Sequence, residues 1–253
     1  MKRGIFVVLD GIDGCGKGTI MKKIAAYLFD KQKTNHVLMT REPYISKYHD
    51  EIRRLLKENT NPYDNAELFA DLWVKDRKAH AAWIEKELGS GHHVISDRYK
   101  YSTLAYQQTQ GISLEKLIKM HKGVLIPDIA IIVDIPVEEA IRRADNDKSR
   151  NFKEVFEKKE FQEKLRTNYL ALPKALPDEN IAILTGASSD KYSNRPRQRS
   201  IKFWEDPGIS KGANSDIIFS PERIETDKDK TKRPYPRPFF IVSVFDIISL
   251  LYK

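Results

Sequence analysis

The sequence predicts an α/β fold, a parallel core sheet with helices on both faces, and three observations lead to it. Short apolar segments occur without the in-and-out alternation of a half-exposed sheet. Amphipathic segments with helical spacing separate them, so β and α alternate along the chain. Polar clusters fall just past the ends of the apolar segments, where ligands bind in open α/β sheets.

The first strand is Ile5 to Leu9. A glycine-rich turn follows it, then a helix with Ile20, Ile24 and Leu28 on one face. Further strands are expected at His36 to Thr40, Val94 to Asp97, Ile129 to Ile135 and Ile181 to Leu184. The clusters Asp10 to Thr19, Arg41-Glu42-Pro43 and Asp97-Arg98-Tyr99 should converge on one cleft. After Leu184 the pattern breaks down, and Ser188 to Pro238 reads as an extended or partly disordered tail rich in Pro and charge. We therefore place an α/β domain at 1–187 and a basic, Pro-rich extension at 188–253.

Composition narrows the class. The chain has 253 residues, 40% hydrophobic and 32% charged, which suits a soluble globular protein with one sizeable domain. The net charge of +8 suits nucleotides, nucleic acid or an acidic membrane surface, and solvated surface Lys and Arg are its more ordinary explanation. Part of the excess lies in the extension, from Arg195 to Arg237. Cys15 is the single cysteine, so no intrachain disulfide forms and a reducing compartment is expected. The start is basic then apolar, but Asp10 interrupts it, and we expect no signal peptide. Phe239 to Tyr252 is shorter than the ~18 apolar residues of a spanning helix.

Gly11-Ile12-Asp13-Gly14-Cys15-Gly16-Lys17-Gly18-Thr19, between a strand and a helix, is a phosphate-binding loop. Its glycines let successive N–H groups face a phosphate, and Lys17 can reach the β and γ oxygens. The fold is then a P-loop three-layer sandwich. Gly18 replaces the usual hydroxyl residue after the lysine, and Thr19 follows, an order that resembles adenylate kinases. Cys15 reads as a small residue that the loop tolerates. A carboxylate at Asp13 repels phosphate unless it points elsewhere. Asp97 at a strand end suits Mg²⁺ coordination through water, and Arg98 suits a transferring phosphoryl group.

These motifs, with Thr40-Arg41-Glu42-Pro43, Asp76 to His80, Asp97 to Gln107, Pro127-Asp128, Asp134-Ile135-Pro136 and Glu138 to Arg143, occur in the order found in thymidylate kinases. From Ile5 to Gly186 the chain resembles that family. The resemblance implies transfer of the ATP γ-phosphoryl group to dTMP with Mg²⁺, in a cytoplasmic homodimer with neither membrane nor nucleic acid as partner.

Position by position, the resemblance gives Asp13 to the deoxyribose 3′-hydroxyl, Arg41 and Arg98 to the dTMP phosphate, and Arg77 to the base edge. Trp73 would stack on thymine, and Tyr106 with Gln107 would line the sugar and base pocket. Thr19 and Asp97 would serve the metal. A lid at about 142–153 would cover ATP. Gly14 stands where some members carry a catalytic arginine, so Arg143, Lys148 or Arg150 would supply that cation. Two competing readings remain: a kinase of another nucleoside monophosphate or a deoxynucleoside, and a non-catalytic nucleotide- or nucleic-acid-binding protein.

Overall fold

The computed structural model describes residues 2–30, 36–146, 156, 158–186 and, as backbone, 215–219. Five parallel strands, β1 (Phe6–Asp10), β2 (Val37–Arg41), β3 (His93–Asp97), β4 (Ile129–Asp134) and β5 (Ile181–Gly186), match the five expected, with ends shifted by a residue or two. Every residue of β1 and β4 is buried, which accounts for their uninterrupted apolar runs.

Seven helices connect the strands among the described residues: α1 (Lys17–Asp30), α2 (His49–Glu58), α3 (Ala66–Gly89), α4 (Lys100–Thr109), α5 (Leu114–Met120), α6 (Val137–Asp145) and α7 (Lys159–Ala175). Helix α1 packs on β2 and β3 through a buried face that includes Ile24 and Leu28. Burying each such side chain stabilises the fold by about 1.5–3 kcal/mol. Helix α7 packs on α4, β4 and β5 and buries Phe161, Leu165, Tyr169 and Leu172, spaced at three and four residues as one helix face demands.

The sheet order is β2-β3-β1-β4-β5-β6, with β6 (Ser215–Phe219) antiparallel to β5. The chain leaves β1 past β3 to reach β2, whereas from β3 it crosses in the opposite direction to β4. Because such crossovers are right-handed, the two connections lie on opposite faces and open a crevice beyond the carboxyl ends of β1 and β3. The polar clusters meet there, as expected.

Strand β6 is a departure from the sequence reading, which assigned no strand within 188–253. Only Ile217, Ile218 and Phe219 are apolar in it, too short a run to show a period. The pairing is with the outer edge of β5, with Ile217 opposite Leu184 and Ile218 opposite Ile183. An uncovered edge offers unpaired backbone groups to other chains. A chain of residues 1–187 should therefore melt at a lower temperature than the full chain and associate more with concentration. Identical melting and sedimentation of the two would show that the β6 pairing contributes nothing.

Candidate active site

Strand β1 ends at Asp10, which is fully buried. Its Oδ1 accepts from the Gly11 N–H (3.1 Å), Ser102 Oγ (2.6 Å) and the Tyr169 hydroxyl (2.8 Å). Its Oδ2 accepts from the N–H groups of Tyr99 (3.1 Å) and Ser102 (3.0 Å). Burial pushes the Asp10 pKa up, and Arg98, Ser102, Tyr169 and Lys17 pull it back. One carboxylate thus ties the start of the phosphate loop to the start of α4 and to α7.

The loop follows the shape its glycines allow. Gly14 has φ +76°, and a Cβ there would lie 2.1 Å from the Ala140 carbonyl oxygen of α6. No side chain fits, which explains structurally why the loop carries no arginine at this position. Lys17 Nζ donates to the carbonyls of Gly11 (3.1 Å) and Ile12 (2.9 Å). Cys15 is buried, and burial pushes its thiol pKa up, in keeping with a small packing residue. Thr19 is exposed on the same rim as Gly16, Gly18 and Lys22.

Two adjoining cavities open from this point, and Asp13, Asp97 and Arg98 line both. One is the phosphate-loop cavity, lined also by Gly14, Gly16, Lys17, Gly18 and Thr19. The other is walled by Arg41, Glu42, Pro43, Arg53, Leu56, Trp73, Ser102, Thr103, Tyr106, Gln107 and Phe156. Asp13 turns away from the loop: its Oδ1 accepts from Arg98 Nη2 (2.5 Å) and its Oδ2 from the Tyr106 hydroxyl (3.2 Å). Arg98 sits at φ +71°, and its Nη1 donates to Ser102 Oγ (3.0 Å). The repulsion anticipated for Asp13 is thereby offset by a paired guanidinium.

Trp73 is half-buried with a face on the second cavity. Gln107 Nε2 donates to Gln110 Oε1 (2.9 Å), while its own Oε1 is buried with no partner among the described residues. An acceptor in the cavity wall is thus left for a ligand N–H. Asp97 Oδ1 is likewise buried without a partner among the described residues. A carboxylate oxygen kept out of the protein's own hydrogen bonds, on the wall shared by both cavities, fits the water shell of a hard cation. Among the described residues no group of three or more His, Cys, Asp or Glu is placed to hold a metal ion.

Arg77, the residue expected at the base edge, sits deeper than the other expected site residues. It is fully buried and does not line the cavity. Its Nε and Nη2 bind the Glu42 carboxylate, and its Nη1 binds Thr103 Oγ1 (3.0 Å) and His121 Nε2 (2.7 Å). Its partners Glu42 and Thr103 both line the cavity, so Arg77 lies directly behind that wall. Of the lid cations, Arg143 lies against the phosphate loop, with its Nη1 3.9 Å from where a Gly16 Cβ would be, and its Nε binds Glu139 (2.7 Å). Hydrogen bonds from Arg142 and Arg143 pull the Glu139 pKa down to about 2. Lys148 and Arg150 lie outside the described residues.

Sequence reasoning missed Arg53, Leu56, Phe156 and Tyr169. Tyr169 has the spacing of a core residue, and Phe156 stands where no motif marks it. Its ring packs on Tyr106 (5.4 Å) and Phe69 (5.9 Å), and its carbonyl accepts from Gln162 Nε2 (2.6 Å).

His121 Nδ1 is 2.7 Å from the Leu117 carbonyl, so Nδ1 carries the proton and Nε2 accepts from Arg77. Burial first, then the Arg77 charge, lower the His121 pKa from 6.5 to about 3. The folded state therefore resists protonation where the unfolded chain accepts it. His121 costs no stability above about pH 6.5 and lowers it as pH falls toward 3, by ~1.4 kcal/mol per unit. His121→Gln, which keeps an acceptor for Arg77, should flatten this acid limb relative to the parent protein in melting curves from pH 7 to 4. Parallel curves would show that His121 is not held neutral.

Comparison with known proteins bears on this geometry. The family model described as thymidylate kinase matches residues 9–194. A probable thymidylate kinase of Thermococcus gammatolerans is 39% identical over 186 residues, covering 70% of this chain and 87% of that protein. One of Pyrococcus horikoshii is 39% identical over 197 residues, covering 76% and 94%. The crystal structure of thymidylate kinase from Ehrlichia chaffeensis superposes with a TM-score of 0.54 at 26% identity, covering 76% of this chain and 91% of that one. With the family's motifs in order around two adjoining cavities, the chain belongs to the thymidylate kinase family, whose members are nucleoside-monophosphate kinases.

Proposed function

We propose that the protein transfers the γ-phosphoryl group of ATP to dTMP, giving ADP and dTDP. The observation that carries this reading is the pair of cavities sharing Asp13, Asp97 and Arg98, one built around the phosphate loop and the other around Trp73 and Gln107. A donor phosphate chain in the first and an acceptor phosphate in the second would meet at Arg98. Catalysis is then positioning and charge neutralisation, with no covalent intermediate.

Lys17 would exchange its two carbonyl partners for β and γ oxygens, with Gly11 to Thr19 presenting their N–H groups. Asp97 and Thr19 would hold Mg²⁺, which supplies neutralisation of the phosphate charge. Arg41 and Arg98 would bind the acceptor phosphate. Asp13 would accept the 3′-hydroxyl, Trp73 would cover the thymine face, and Gln107 Oε1 would accept the base N–H. The Tyr106 ring would crowd out a 2′-hydroxyl. Arg77 would act through Glu42 and Thr103 by fixing the wall. We place the kinase domain at 1–187 and read the active form as a cytoplasmic homodimer. No described helix is long and apolar enough to cross a membrane.

A panel of nucleoside monophosphates with Mg·ATP, read as ADP formed, tests the assignment, and dTMP should give the highest kcat/KM. Preference for thymidine over dTMP would instead make the protein a deoxynucleoside kinase. Salt-dependent nucleic-acid binding without turnover would make it a binding protein.

Lys17→Ala should lower kcat by on the order of a hundredfold or more while the melting temperature holds. Near-normal turnover in that variant would end the kinase reading. Arg143→Ala should lower kcat by roughly 10²-fold with dTMP affinity unchanged, because its guanidinium already lies against the loop. An unaltered kcat would pass the role to another lid cation, Arg150 being the first to test.

A further inference from the structure

Helix α3 carries a buried carboxyl group that the phosphoryl chemistry leaves unused. Asp76 is fully buried, one residue before Arg77 and one helical turn after Trp73, which faces the second cavity. Its Oδ2 accepts from the Tyr44 N–H (2.8 Å) and its Oδ1 from the Ser46 hydroxyl (2.5 Å). Ser46 Oγ accepts in turn from the N–H of Tyr48, the N-cap residue of α2 (3.1 Å). Both donors to the carboxylate are neutral, and no ion pair offsets it among the described residues. Burial pushes the Asp76 pKa up, against the pull of the Ser46 hydroxyl and the Tyr44 N–H.

Burying a carboxylate on neutral donors costs stability, so stability alone does not account for it. What Asp76 supplies is a pair of directional bonds from α3 to the loop between β2 and α2. The next residue, Arg77, holds the same loop one step earlier, through Glu42. Arg41, Glu42 and Pro43 form the β2 side of the second cavity, and Trp73 lies on its α3 side. Consecutive residues of one helix thus hold successive parts of one loop, and the spacing of the two sides follows from them.

We propose that Asp76 is a positioning residue for the acceptor nucleotide: through Tyr44 and Ser46 it holds the β2–α2 loop, and with it Arg41, at the spacing from Trp73 that dTMP spans. This rests on the reading of the second cavity as the acceptor site. Loosening the loop weakens the hold on the acceptor phosphate in ground and transition states alike, which raises KM and leaves kcat. Asp76 has no hydrogen bond to the phosphate loop among the described residues, so the donor side should not respond.

The test uses the full chain with Asp76→Ala, Asp76→Asn, Ser46→Ala and Asp76→Ala combined with Ser46→Ala. It measures steady-state constants for dTMP and ATP and inhibition by thymidine, which lacks the phosphate. Asp76→Ala should raise the KM for dTMP roughly tenfold, the effect of losing buried hydrogen bonds, with kcat and the KM for ATP unchanged. Asp76→Asn should recover part of the loss, since its amide can accept from Tyr44 and donate to Ser46. Ser46→Ala should raise the KM roughly threefold and add nothing to Asp76→Ala, as partners in one bond do. The thymidine inhibition constant should stay at the parent value throughout. An unchanged KM for dTMP in Ser46→Ala would overturn the proposal, even where the Asp76 variants fail to fold. So would a rise in the KM for ATP, or in the thymidine inhibition constant, by the same factor as the KM for dTMP. A parent enzyme that does not turn over dTMP at all would instead overturn the function, whatever Asp76 does.

Discussion

Asp10 is buried at the end of the most buried strand, and a carboxylate in that position is tolerated only when its oxygens are filled with donors. It has five: the backbone N–H groups of Tyr99 and Ser102 at the β3–α4 junction, the Gly11 N–H, and the hydroxyls of Ser102 and Tyr169. Those donors come from three separate stretches of chain, so satisfying the carboxylate sets their mutual position. Arg98, lodged in that turn at φ +71°, is delivered beside the phosphate loop as a consequence. Its bond to Asp13 then closes the junction of the two cavities.

A second buried pair, Glu42 with Arg77, shapes the base-side wall. Removing one partner of such a pair costs about 3–5 kcal/mol because the other is stranded without water. Here the stranding would extend to His80, Thr103 and His121, all in contact with the pair. Glu42 directly follows Arg41 at the end of β2, so the buried anchor also fixes where the exposed arginine leaves the sheet. His121 contributes by staying neutral, since an imidazolium would set two cations face to face.

How legible the site was depended on whether its determinants are local. The phosphate loop depends on glycine conformations and a strand-helix junction, both written in consecutive residues, and its residues fell where they were expected. Asp97 and Arg98 close a strand, again a local signature. Arg77 was legible as a motif residue, but its burial was not, because that depends on Glu42 and His121, 35 and 44 positions away. Arg53 is one basic residue in a charged helix, and nothing in the local pattern separates it from Arg54. Only the packing of α2 against the rest of the wall distinguishes them. Strand β6 pairs with an edge that the parallel strands had already completed, so no periodicity in its own short sequence announces it.

The distribution of cations carries a further physical consequence. A site that binds two polyanions needs positive charge, but charge left unpaired in the apo protein destabilises the fold and attracts adventitious anions. This chain divides the task. Arg98 is neutralised by Asp13, Lys17 rests on two loop carbonyls and Arg143 on Glu139, each held by partners that a phosphate oxygen can replace or supplement. Arg41 and Arg53, exposed and without a partner among the described residues, stay in contact with water, where a guanidinium costs little. The partnered groups are placed by the fold before ligand arrives, which is where transition-state stabilisation demands accuracy. The solvated ones would supply attraction at the mouth, where accuracy matters less. Rigid groups at the centre and exposed ones at the rim therefore follow from one electrostatic constraint, the cost of burying a charge before its counter-charge is present.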